Sequence, residues 1–233
     1  MKLFCVAFAI CLYFTTSCFA SDSLFVRYKA FVAKPGSIQK LKTLQIVGVL
    51  VSDRNDSLEF VLHRIFPDTI RLQVRFGDTY AITVITAETG WIVDPTRKIF
   101  EPKELLRDEV QRIKSNILNL FGFLDPNVLD SVRARNVANP DTNYVSFEVI
   151  NSTLDTTYYF FHKKDFSDSY RIVRFYHSPY YFKIIPKLLF SYMGFAIPRQ
   201  IEVFANEKKR TLLYIVNINI NSDIERDLFI LKK

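Results

Sequence analysis

The sequence predicts an α+β protein built on an antiparallel sheet, and three observations predict it. Short runs in which apolar and polar side chains alternate recur along the chain, separated by turn residues. That is the period of strands with one buried face. One long segment breaks the rhythm, because Leu106, Val110, Ile113, Ile117, Leu120, Phe121 and Leu124 recur at steps of three and four, the stripe of an amphipathic helix. The run Tyr158-Tyr159-Phe160-Phe161 is apolar on both faces, as expected where a sheet curls round an interior, is covered by helices, or packs into a crowded core.

Residues 1–20 read as a secretory signal peptide, with Lys2, an apolar run from Leu3 to Phe14 and small residues up to Ala20. Cleavage after Ala20, which starts the mature chain at Ser21, is favoured over lipidation of Cys18, which leaves a membrane-anchored lipoprotein. An uncleaved membrane anchor stands behind both, because the apolar run is shorter than the ~20 residues a span needs. Each implies export. Cys5, Cys11 and Cys18 all lie in this segment, so a chain cut after Ala20 has no thiol for disulfides, nucleophilic catalysis or metal binding. Of 233 residues, about 213 then remain, enough for a single domain over 21–233. Without Lys2 there are 30 basic and 24 acidic residues, a net charge of +6. The excess is mild and interspersed, which reads as a soluble basic surface and not as a nucleic-acid interface; contact with an anionic membrane surface stays open.

Along the mature chain, Leu24, Phe25, Tyr28, Phe31 and Val32 follow helical spacing and Lys34-Pro35-Gly36 ends the run. A short helix capped by Ser37 is expected next. Leu44 to Val51 and Leu58 to Leu62 read as the first strands, with polar turns at Asp53 to Asp56 and Asp94 to Arg97. From Asp68 to Trp91 lie two more strands and the start of a third, with apolar rows at Ile70, Leu72, Val74, Phe76 and at Tyr80, Ile82, Val84. A three-residue loop pairing Phe76 with Tyr80 aligns the two rows; a two-residue loop pairing Phe76 with Thr79 sets them on opposite faces. The aligned arrangement is expected. Glu88-Thr89-Gly90 is expected to form a turn with Gly90 at positive φ, after which Trp91 opens the next strand.

The helix is expected over 101–124, with Pro102 in its first turn, Glu101 and Glu104 at its positive end and Gly122 near its close. A second helix start follows at Asp125-Pro126. Strands return at Tyr144 to Ile150, Thr157 to Lys163, Tyr170 to Tyr176, Ile201 to Ala205 with Pro198 just before it, and Leu212 to Ile220 with Asn217 and Asn219 facing outward.

The Gly-Asp hairpin with its Thr89-Gly90-Trp91 step, the segment Gly194 to Ile201 and the closing run Asn221 to Phe229 resemble, in order and spacing, the LolA-like outer-membrane lipoprotein carrier and lipoprotein-sorting family. The resemblance implies a strongly curved antiparallel half-barrel with helices across an apolar concave face. It also implies a periplasmic monomer that binds acyl chains of lipoproteins or lipids and exchanges them with a membrane-bound donor or acceptor protein. In that frame the helix is a lid. Leu72, Val74, Phe76, Tyr80, Ile82, Val84, Trp91, Val110, Ile113, Ile117, Phe121 and Phe160 are then expected to line the hollow. Arg64, Arg71 and Arg75 lie on early strands and are read as outward-facing, although any of them is placed to hold a lid.

Sequence motifs for chemistry are missing. His63, His162 and His177 form no ligand-spaced pair, and neither a G-x-S-x-G turn nor a phosphate-binding glycine loop occurs. A non-enzymatic protein without cofactor or metal is expected. An envelope sensor or interaction lipoprotein on the same fold is the alternative, and a lipid-active enzyme the more remote one.

Overall fold

The computed structural model describes residues 26–54, 56–121, 135–150, 155–175 and 178–230. The signal-peptide segment, Leu24, Phe25, Gly122, Leu124, the helix start at Asp125-Pro126 and His177 lie outside them. Among the described residues thirteen strands form one sheet: β1 (Thr43–Ser52), β2 (Ser57–Ile65), β3 (Thr69–Phe76), β4 (Thr79–Thr86), β5 (Thr89–Asp94), β6 (Ile99–Glu104), β7 (Arg135–Val137), β8 (Tyr144–Ile150), β9 (Thr156–His162), β10 (Tyr170–Arg174), β11 (Tyr181–Tyr192), β12 (Phe195–Ala205) and β13 (Lys208–Ile220). The order is β6-β5-β4-β3-β2-β1-β13-β12-β11-β10-β9-β8-β7. Every pair is antiparallel. The sheet is open, with β6 and β7 at its edges. Helices α1 (26–32) and α2 (Arg107–Phe121) lie over one face.

The sheet curls strongly. Adjacent residues of α2 reach opposite walls: Lys114 Nζ lies 2.6 Å from Asp68, beside β3, and Ser115 Oγ 2.9 Å from Asp155, beside β9. Those strands are seven spacings apart, roughly 34 Å along a flat sheet. Two neighbouring side chains cannot span that, so the walls have closed around the helix.

The core fills the inner face, the one α2 covers. Ile46, Phe60, Leu62, Ile70, Ile197, Ile201 and Leu213 are fully buried there with Val110, Ile117 and Phe121 of α2. A second cluster, Phe147, Tyr159 and Phe161, lies under α1, with Tyr28 stacked on Phe161 at 4.0 Å.

Four local expectations are corrected. Phe76 pairs with Thr79 and not with Tyr80; the loop is the two residues Gly77-Asp78, with Gly77 at φ 58, as a glycine-first hairpin turn requires. Gly90 is not the turn residue. The turn uses Ala87 at φ 53, and Gly90 sits inside β5, where a Cβ would come 2.6 Å from the Val84 carbonyl and 3.3 Å from Leu105. Residues Glu101, Pro102 and Glu104 form the edge strand β6 instead of the first helical turn, because an edge tolerates a residue without an N–H. The helix begins after Leu106, whose N–H donates to Glu109 Oε2 at 2.9 Å, with Asp108 and Glu109 in the first turn. Pro198 is within β12, opposite Leu189, but β13 joins β12 only from Gln200 onward, so the proline occupies a locally free edge.

Candidate functional site

The two-residue turn decides which residues meet. Across β2, β3 and β4 the inner row runs Phe60, Val74, Ala81 and Leu62, Leu72, Thr83; Phe76 shares that face. Tyr80, Ile82, Val84 and Trp91 fall on the opposite face, in rows Arg75-Tyr80, Gln73-Ile82-Val93 and Arg71-Val84-Trp91. Phe160 also points outward, stacked on Tyr170 at 4.6 Å. Of the predicted lining, the structure brings together Leu72, Val74, Val110, Ile113, Ile117 and Phe121, Phe76 shares their face, and the other five lie outside. Val84 is nonetheless fully buried, because the chain end at Arg226–Phe229 packs on the outer side of β3 and β4.

Helix α2 is fastened by an apolar stripe and by four polar ties. The Phe121 ring lies 5.7 Å from Phe60. Arg107 reaches Glu88 at 3.1 Å, Lys114 reaches Asp68, and Ser115 donates to the buried Asp155. The helix has no basic residue in its last turn, where a cation would complement its negative end. Arg171 of β10 supplies it from the facing wall, donating from Nη2 to the Leu120 carbonyl at 3.2 Å. The cavity at this end, lined by Leu120, Tyr159, Arg171, Ile184 and Ile201, has a volume of about 30 Å³, room for about one water. Tyr28 borders it, and burial is the main cause that pushes its phenol up to about 12.

Arg64 reverses the expectation of an outward arginine. It sits between Leu44 and Ile70 on the inner face, is 3 % exposed, stacks 4.1 Å over Phe66 and donates to the Pro67 carbonyl at 3.3 Å. The signal was present in its phase, two residues beyond Leu62 and four beyond Phe60. Arg71 and Arg75 do point outward, Arg75 pairing with Glu59 at 3.3 Å.

On the outer face, Asn219 donates to Gln45 Oε1 at 2.9 Å, and Gln45 Nε2 lies 3.0 Å from His63 Nε2. His63 is held below its ordinary pKa, first by burial and then by the neighbouring Arg71 charge. Among the described residues no three His, Cys, Asp or Glu side chains are grouped to hold a metal, and no helix is long and apolar enough to cross a membrane. A second cavity of about 300 Å³ opens between α1 and the β11–β12 hairpin, lined by Ala30, Phe31, Lys34, Leu189, Phe190 and Phe195.

No protein-family model matches the chain, and no curated protein sequence does. Solved structures do. A domain named for outer membrane lipoprotein sorting from Vibrio parahaemolyticus aligns over 87% of this chain and 93% of its own, at TM-score 0.55 and 11% identity. A LolA superfamily protein from Nitrosomonas europaea aligns over 89% and 96%, at 0.57 and 9%. A DUF1329 family protein from Desulfovibrio piger aligns over 91% and 98%, at 0.58 and 10%. At these identities the likeness is one of architecture, and the open antiparallel sheet curled around its covering helices is the LolA-like fold.

Proposed function

We propose that this protein is an acyl-chain carrier of the cell envelope, which takes up the lipid of a lipoprotein or a free lipid on the inner face beneath α2 and passes it to a membrane-bound acceptor. The observation that carries the reading is the attachment of α2: an apolar stripe on an apolar sheet face, pinned to both walls by side-chain ties. The cavity beside the helix holds about one water, so cargo enters only as the helix lifts. Lifting uncovers Val110, Ile117 and Phe121, at about 1.5–3 kcal/mol each. A long acyl chain laid on the same surface contributes about 0.8 kcal/mol per methylene, so the two are of comparable size. Exchange is then close to balanced, as a carrier without an energy source needs. The LolA-like architecture of proteins named for lipoprotein sorting supports the same reading.

The test locks the helix. Lys114→Cys with Asp68→Cys, in the form starting at Ser21, allows a cleavable thiol-to-thiol reagent of about a lysine side chain's length to replace the ion pair. Uptake of a fluorescent fatty acid is expected to stop when the link is made and to return when it is cut. Uptake at the same rate in the fully linked form overturns the moving-helix mechanism.

A further inference from the structure

The basic excess, which reads as interspersed along the sequence, resides in two acid-free stretches. Residues 23–52 contain five Lys or Arg and no Asp or Glu, and so do residues 169–201. These hold ten of the 31 basic residues, which leaves 21 against all 24 acidic residues in the rest of the chain, a net of −3. The entire positive excess belongs to these two segments.

The fold brings them together. Lys34 N–H donates to the Gly194 carbonyl at 2.7 Å, and Ala33 bridges to Phe195, so the end of α1 docks on the turn of the β11–β12 hairpin. The register puts that turn at the end of the sheet where β1 begins and β13 finishes, which adds Lys40 and Lys42. Lys34, Lys40, Lys42 and Arg199 are all exposed there. Of the acidic residues after β13, Asp223 follows Ser222, which accepts from Thr43 Oγ1 at this end, and Asp227 lies in the segment packed on β3 and β4.

The same hairpin exposes its apolar side chains. Leu188 is 67% and Met193 58% exposed, and both hold positive φ, 53 and 48. A bulky residue in that region is uncommon and strained. Arg199, opposite Leu188 in the register, lies 5.0 Å over the Phe190 ring, a cation set against apolar surface. Basic residues around protruding apolar ones match a bilayer with anionic headgroups, which attracts the cations and accepts the apolar groups at its boundary.

We infer that the α1 and β11–β12 end is a docking surface for anionic phospholipid bilayers, with Leu188 and Met193 entering the headgroup boundary and Lys34, Lys187 and Arg199 facing the phosphates. The 300 Å³ groove opens at this end, beside the lipid. The surface is independent of cargo. Cosedimentation with vesicles is expected to show binding to equal parts phosphatidylcholine and phosphatidylglycerol, weakened by salt, and little binding to phosphatidylcholine alone. Lys187→Glu with Arg199→Glu is expected to lower partitioning on the order of 30-fold or more, at about one cation's attraction each. Leu188→Asn with Met193→Asn removes the apolar tips while suiting positive φ, and is expected to lower it about ten-fold. Arg97→Glu with Lys103→Glu, near the β6 edge, makes the same charge change and is expected to leave most binding intact.

Equal binding to neutral and anionic vesicles overturns the inference, as does unchanged binding by either hairpin variant. Retention on heparin without vesicle binding also overturns it, in favour of another polyanion. Because the assay contains no fatty acid, its failure leaves the carrier reading standing, and failed fatty-acid uptake leaves the docking surface standing.

Discussion

Helices α1 and α2 cover the same inner face but are fastened by different chemistry. α1 is held by stacked rings, Tyr28 on Phe161 at 4.0 Å and Phe31 against Phe166 at 5.6 Å, and by a backbone bond from Lys34 to Gly194. α2 rests on its apolar stripe and is otherwise held by side-chain ties to Glu88, Asp68, Asp155 and from Arg171. Moving α1 would expose aromatic surface and strand backbone groups with no cargo to replace them. The exposed ties of α2 to Glu88 and Asp68 exchange for water at small individual cost, and in the proposed carrier an acyl chain would cover what the stripe leaves. In the proposed carrier, α1 serves as a wall and α2 as a cover.

The largest expected effect comes from cutting one aromatic anchor of each helix contact, Phe121 on α2 and Phe161 beneath α1. Phe121→Ala and Phe161→Ala should each cost about 3–5 kcal/mol in urea unfolding. Their difference appears in uptake of a fluorescent fatty acid, where Phe121→Ala is expected to change both rate and affinity and Phe161→Ala to change neither. Equal effects on uptake would erase the distinction between wall and cover.

A smaller effect is expected from the ties. Arg171→Met removes a charge-assisted bond at the end of α2 and should cost about 1.5–3 kcal/mol, whereas Lys114→Met loses an ion pair whose Asp68 is well exposed and should cost about 0.2–1 kcal/mol. Both should speed fatty-acid uptake in stopped-flow fluorescence, Arg171→Met more. Slower uptake would make the ties part of the binding surface instead of a latch.

The smallest effect lies on the outer face. Because His63 has a lower pKa in the folded chain than its ordinary 6.5, the unfolded chain binds the proton first. Stability is therefore full above about 6.5 and falls as pH drops from there toward the folded value. His63→Gln should flatten the melting temperature measured across that window and leave uptake unchanged, since the residue faces away from α2. An unchanged slope would assign the acid sensitivity to other groups.

Most strands of the sheet were legible, because alternation at Ile70 to Phe76 or Leu212 to Ile220 is a local property that pairing only has to use. The stripe of α2 was legible for the same reason, and Val110, Ile117 and Phe121 do face the core. Less could be read where two local signals competed. Pro102 and its glutamates suit a helix start as well as an edge strand, and only β5 alongside them decided for the strand. The twelve-residue β11 was hidden by Pro186 and by apolar residues that come in adjacent groups, Tyr181-Phe182, Ile184-Ile185 and Leu188-Leu189-Phe190, instead of alternating.

The chain by itself determined its periods and its charges: where most strands and the body of the helix run, and that residues 23–52 and 169–201 are free of acid. Only the tertiary structure decided which way each row points and what lies beside what. A side-chain row changes face when a turn gains or loses one residue, and the choice rests on the pairing of all neighbouring strands, so Tyr80, Ile82, Val84 and Trp91 were assigned to the wrong side. The meeting of β1 with β13, of Arg171 with the end of α2, and of the two basic stretches joins residues far apart in sequence. No local period encodes such a contact, because its free energy exists only once the walls have closed.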